Sequence, residues 1–142
     1  FTETYPLKIQ ANGSTFLQKG IADSTLTQLE YKNNIKAHIF VSWLHPFKEH
    51  RLVVVGSGGM ISFEDSMEGK PLKLYSKGII FNNKIPEKVD GSVELIDYEK
   101  KMPLTEELSC FIKSFDGGNI SSVDGFHALE VVKILAEASR QL

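Results

Sequence analysis

The hydrophobic pattern changes its period once along this chain, and that change restricts the fold more than any other feature. Before Pro103 the apolar residues recur mostly at every second position; after it they recur at every third and fourth. The alternation is clearest over residues 35–44. Ile35, Ala37, Ile39, Val41 and Trp43 fall on one side, and Lys36, His38, Phe40, Ser42 and Leu44 on the other, because successive side chains of a strand point to opposite faces. Phe40 and Leu44 make the second face half apolar, so cover by helices or by a partner subunit is expected. Leu7, Ile9 and Ala11 alternate ahead of Asn12-Gly13, a pair that reads as a turn. Residues 25–31 form a second run with Leu26 and Leu29, and Lys32-Asn33-Asn34 breaks it where asparagine tolerates a left-handed backbone. Shorter strands are expected at residues 72–75, 78–81 and 93–98. Lys70-Pro71 and Glu87-Lys88 lie in stretches that read as polar loops.

Past Pro103, which suits the first turn of a helix, Leu104, Leu108, Phe111, Ile112 and Phe115 repeat at helical spacing. Asp116-Gly117-Gly118-Asn119 should end that helix. Ser121 or Ser122 should cap a second one running to about Gln141, with Phe126, Leu129, Val132 and Ala136 on its inner face and Ile134 and Leu135 nearby. Strands first and helices after predict an α+β fold: an open, largely antiparallel (mixed) sheet with two C-terminal helices packed on one face. The 142 residues are the size of one domain, and no internal repeat or linker divides them.

The run RLVVVGSGGMISFEDS, residues 51–66, tests a nucleotide-binding reading. A dinucleotide-binding turn needs G-x-G-x-x-G between a strand and a helix. Gly56 and Gly58 fill the first two places, but Ile61 occupies the third. Ile61 and Phe63 lie two apart, which is strand spacing. Gly56-Ser57-Gly58-Gly59 is therefore expected to be the turn of a β-hairpin, and no cofactor is expected to bind there.

A formal net charge of −2 gives no basic field for nucleic acid. No apolar run approaches the ~20 residues that span a bilayer, and no signal peptide opens the chain, so neither nucleic acid nor membrane is an expected partner. The single cysteine, Cys110, sits among Leu108, Phe111 and Ile112 and reads as an inert buried thiol; a reducing, cytoplasmic setting is expected. His38, His45, His50 and His127 show no metal-binding spacing, so no metal site is expected. No Gly-x-Ser-x-Gly elbow is present.

The densest polar-aromatic cluster is SWLHPFKEHR, residues 42–51. Two readings stand. Trp43, His45, Phe47, Lys48, Glu49, His50 and Arg51 crowd this stretch, an aromatic platform with cationic neighbours suited to a sugar ring and a phosphate or carboxylate. Alternatively the stretch is a strand end, with Trp43 in the core and Lys48, Glu49 and Arg51 as surface charges. Tyr5, Tyr75 and Tyr98 could join such a site, but nothing in the sequence ties them to it.

The pattern of an extended strand, then SW-x-x-P-x-K-E, R-L-x-V-x-G and G-x-x-x-F, resembles the C-terminal half of the glucose–fructose oxidoreductase / inositol dehydrogenase / rhizopine catabolism (Gfo/Idh/MocA) family. The tail, MPLTEELSCFIKSFDGG and SSVDGFHALEVVKILAEASRQL, is similar to that family's two closing helices. The likeness is nearest to the branch that oxidises the 3-hydroxyl of UDP-linked N-acetylated amino sugars or their uronates. It implies a two-domain NAD(P)-dependent dehydrogenase in which one half binds cofactor and the other, an open sheet, holds substrate and builds a homo-oligomer through its exposed face. The family's Glu-Lys-Pro and Asp-x-x-x-His have no counterpart here; Asp124 and His127 have the wrong spacing. With no initiator methionine and a strand pattern from the outset, the chain is expected to be the substrate and oligomerisation half of a longer enzyme. On that expectation it carries no catalytic residue, no cofactor of its own and only substrate contacts at Trp43, His45 and Lys48. The competing expectation is a free-standing, non-catalytic binding or dimerisation module on the same sheet.

Overall fold

The computed structural model describes residues 4–115 and 124–142. Nine strands precede two helices among these residues, and every strand pairing is antiparallel. The α+β reading holds. The strands form three separate sheets, and the chain divides into two compact units. Residues 1–45 and 102–142 make the first; residues 46–101 make the second.

In the first unit, β1 (Lys8–Ser14), β2 (Ser24–Glu30) and β3 (Lys36–Ser42) form a three-stranded sheet in that order. The register places Ile9, Leu29 and Ala37 side by side, with Ala11 next along. The helix α2 (Gly125–Ser139) lays Ile134 and Ala138 over them, and Ile9, Ala11, Leu29 and Ala138 are the buried core. A second grip is polar. Gln141 accepts a hydrogen bond from the Ala11 N–H (2.9 Å) and donates one to the Ile9 carbonyl (3.1 Å). Its amide thus satisfies main-chain groups of β1 that have no strand beside them.

Between β2 and β3, Asn33 and Asn34 take positive φ values of 58° and 59°, as their tolerance of the left-handed region predicts. Asn12-Gly13 behaves otherwise. The strand β1 runs straight through it, pairing Gly13 with Thr25. A Cβ on Gly13 would lie 2.9 Å from both the Ala22 and Leu142 side chains, so glycine answers a close approach here and not a turn. The reversal comes later, where the buried carboxylate of Asp23 accepts from the N–H groups of Phe16 and Leu17, the latter at 2.7 Å.

Both helices depart from the expected packing. α1 (Pro103–Phe115) forms where its pattern predicts, yet Leu104, Leu108, Phe111, Ile112 and Phe115 are all exposed. α2 is capped by Asp124, whose side chain accepts from the His127 N–H (2.7 Å); Ser121 and Ser122, and the expected stop at residues 116–119, lie outside the described residues. Its inner face is Ile134 and Ala138, with Gln141 just beyond its C-terminal end, while Phe126, Leu129, Val132 and Ala136 face outward. A small residue at 138 lets the helix approach β1 closely, and the two hydrogen bonds from Gln141 fix that rotation.

In the second unit, β4 (Arg51–Gly56), β5 (Gly59–Glu64), β6 (Leu72–Tyr75) and β9 (Val93–Ile96) form a four-stranded sheet in that order. β4 and β5 are the expected hairpin, closed at Gly56 opposite Gly59. The positive φ lies at Gly59 (154°), where a Cβ would meet the Tyr75 carbonyl oxygen at 2.9 Å. A further hairpin, β7 (Gly78–Asn82) and β8 (Ile85–Val89), stands as its own two-stranded sheet. Glu87-Lys88, expected in a polar loop, lies in β8 instead. Asn83 and Lys84, at φ 50° and 69°, form the tight turn that pairs β8 with β7.

Candidate functional site

The connection leaving β3 carries the sequence-predicted contacts. The Trp43 N–H donates to the Asp23 carbonyl (2.8 Å), extending the β2–β3 ladder by one bond beyond Ser42. Ser42 then accepts from the Leu44 N–H (3.1 Å) through its hydroxyl and starts the chain turning. The backbone of Trp43 is held while its indole stands 84% exposed, so the core placement of this residue does not hold. The His45 ring meets Phe40 edge-on, with centroids 6.5 Å apart and planes at 74°. Phe40 also borders a shallow hollow of about 190 Å³ lined by Asn12, Ser14, Ser24 and Leu26. Trp43 and His45 close the first unit.

Lys48 lies in the second unit, exposed and without an ion pair among the described residues. Its neighbours in sequence are committed elsewhere. Arg51 bridges Glu49 (2.8 Å) and Glu64 (2.7 Å), and the Glu64 hydrogen bond pushes its guanidinium further above the ordinary range. The His50 N–H donates to the Ser66 hydroxyl (3.1 Å), and the His50 carbonyl accepts from the Asp65 N–H (2.9 Å). Asp65 in turn pairs with Lys70 (2.6 Å), whose hydrogen bond holds its carboxyl below the usual range; His50 Nδ1 lies 3.8 Å from the same carboxylate. Within SWLHPFKEHR, then, Glu49, His50 and Arg51 tie the start of β4 to the end of β5. Trp43, His45 and Lys48 present their side chains outward.

The pairing of Lys70 with Asp65 has no local signal in the sequence. Lys70 sits at φ 45° in the turn before β6, and its carbonyl accepts from the Tyr98 hydroxyl (2.7 Å) while the Tyr98 ring packs edge-on against Phe63. Tyr5 reaches Glu137 on α2 (3.5 Å). Tyr5 and Tyr98 therefore hold structure together, and Tyr75 is a strand residue opposite Met60 and Val93.

The chemistry each residue offers is recognition: in the first unit Trp43 has an exposed aromatic face and His45 an imidazole edge, and in the second unit Lys48 has an exposed ammonium. The β4–β5 turn does not fit a dinucleotide. Both its flanks are strands, so no helix N-terminus stands behind it to receive a pyrophosphate. No group of three or more His, Cys, Asp or Glu is placed to hold a metal ion among the described residues, and no helix among them is long and apolar enough to cross a membrane.

Comparison with known proteins agrees with the sequence resemblance. The model of the GFO/IDH/MocA C-terminal domain family matches residues 1–62, from the start of the chain into β5. No curated protein matches the chain. Among solved structures, UDP-N-acetylglucosamine 3-dehydrogenase GnnA from Acidithiobacillus ferrooxidans is similar in fold, with a TM-score of 0.71 at 17% identity. The match covers 96% of this chain and 39% of that one. The chain thus spans well under half the length of that relative, and at this identity the likeness is one of fold.

Proposed function

We propose that this chain, whose residues 1–62 carry the GFO/IDH/MocA C-terminal domain pattern, is the substrate-positioning and assembly half of an NAD(P)-dependent sugar dehydrogenase. Its substrate is a nucleotide-linked amino sugar, and the chain is inert by itself. One observation carries the reading. The glycine cluster that could have cradled a dinucleotide is a β-hairpin turn, while the exposed residues Trp43, His45 and Lys48 are those suited to a sugar ring and its phosphates. The name of the structural neighbour supports the choice of substrate class, and the 39% of its length that is matched supports a division of labour between two halves. The open face of the β1–β2–β3 sheet, with Leu26 and Phe40 exposed, serves in assembly.

Calorimetry with UDP-N-acetylglucosamine tests the binding role. Weak binding is expected, because only part of the pocket is present, and Trp43→Ala or Lys48→Ala should weaken it further by about tenfold, the loss of one stacked or charge-assisted contact. Since the Trp43 indole is exposed, its removal should change stability by no more than about 0.5 kcal/mol. Binding that is unchanged in both variants would remove these residues from the substrate site.

A further inference from the structure

Asp23 ties the connection between β1 and β2 to Trp43. It is 5% exposed, and its N–H, carbonyl and carboxylate all have main-chain partners. The N–H donates to the Ser14 carbonyl (2.8 Å), and the carbonyl accepts from the Trp43 N–H (2.8 Å). Asp23 and Trp43 stand opposite each other, one step beyond the Ser24–Ser42 pair. Their side chains therefore leave the ladder on one face, about 5 Å apart at Cβ. A buried carboxylate is costly unless it is hydrogen-bonded. The groups that satisfy this one are the N–H of Phe16 and the N–H of Leu17 (2.7 Å). Phe16 and Leu17 are 70% and 69% exposed, beside 84% for Trp43. Just beyond them the Ile21 N–H donates to the Gln18 carbonyl (3.2 Å), and Gly20 supplies the φ of 82° that this tight turn needs. One buried carboxylate thus fixes the main chain beneath three large, exposed apolar side chains, all within the first unit.

We infer that Phe16 and Leu17 are specificity-determining residues of the Trp43 site, that they receive the N-acetyl methyl group of an amino sugar, and that Asp23 is the positioning residue that holds them beside Trp43. The inference rests on the substrate class proposed above. A ligand of that class has two apolar parts, the nucleobase and the acetyl methyl. With the sugar ring on Trp43, the diphosphate carries the base away from this loop, whereas the acetamido group is attached to the ring itself. Residues 14–18 carry no charge, so the loop offers a phosphate nothing and offers a methyl group two apolar side chains. Asp23 orders the loop before any ligand arrives, which lowers the entropy lost on contact.

Calorimetry that compares UDP-N-acetylglucosamine with UDP-glucose, which has a hydroxyl in place of the acetamido group, tests it. The chain should bind the acetylated ligand more tightly by about fourfold, the value of burying one methyl group. Phe16→Ala and Leu17→Ala, both at exposed positions, should each lower that ratio toward one and leave UDP-glucose binding unchanged. Asp23→Asn, which keeps one acceptor oxygen, should lower the ratio in the same way. It should also reduce the fluorescence anisotropy of Trp43, the only tryptophan in the chain. A merely structural role for Asp23 would weaken both ligands equally. Should Asp23→Asn fail to fold, the two loop variants decide. A ratio of one in the native chain, or a ratio that survives both loop variants, would overturn the assignment. Trp43→Ala tells that failure from failure of the substrate reading. If it weakens both ligands while the loop variants leave the ratio alone, only the loop's role falls; if neither ligand binds, or Trp43→Ala changes neither affinity, both fall.

Discussion

Ser62 is the residue whose environment asks most of its side chain. It is 6% exposed in the middle of β5, between Val53 and Lys73, and its hydroxyl finds no hydrogen-bond partner among the described residues. An unpaired buried hydroxyl costs more than it contributes, so Ser62→Ala should stabilise the chain by about 1 kcal/mol, read as a raised urea midpoint. Asp65 and Lys70 show the opposite situation, a pair each member of which favours the other's charge. Asp65 sits below its ordinary value of 3.8, so its contribution is present above that pH and is lost as pH falls through the folded value. Lys70 sits above its ordinary 10.5, so its contribution is present below that pH and is lost as pH rises through the folded value. Stability measured against pH should therefore decline on both flanks, and Asp65→Asn should flatten the acid one; an unchanged acid limb would show that the pair contributes nothing. Neither feature could be read from the sequence, since Lys70 and Asp65 are joined by a turn whose backbone the residue types do not specify. The exposed indole of Trp43 was equally hidden, because alternation assigns a side but does not say whether anything covers it.

At the level of elements, α2 is held at its C-terminal end. Ile134 and Ala138 pack on β1 and β2, and Gln141 completes hydrogen bonds that the outer strand would otherwise offer to water. Gln141→Ala should cost about 1–3 kcal/mol by leaving the Ala11 N–H and Ile9 carbonyl unpaired, and hydrogen exchange at Ala11 should quicken. Exchange there that matches the parent protein would mean that the helix docks through its apolar contacts alone. The strand β3 was legible because its alternation is strong, and the β2–β3 and β4–β5 reversals because asparagine and glycine stand at them. β8 was not, because proline and two charges suit an edge strand as well as a loop, and only its pairing with β7 separates the two.

For the whole molecule, both units leave many large apolar side chains exposed. The stripe of α1, the outer face of α2, the edge of β3 and the β7–β8 ribbon are all exposed, well beyond the scattered apolar residues of an ordinary surface. Such surface calls for cover, which the proposed role as one half of a larger enzyme would supply. Mixed with NAD or NADP and a UDP-linked amino sugar, the chain alone should produce no reduced nicotinamide, followed by absorbance; measurable turnover would end the proposed division between a reacting half and a positioning half.

The sequence by itself determined the class of fold, the hairpin at Gly56–Gly59 and the family resemblance, since each depends on side-chain spacing or on residues that are neighbours along the chain. Tertiary structure decided the rest: which face of α2 turns inward, why Gly13 is glycine, which charges in SWLHPFKEHR are paired, and where apolar surface stays open. Those outcomes depend on distances between residues far apart in sequence, such as Gln141 and Ile9 or Ala22 and Leu142, and a local pattern contains no measure of such distances.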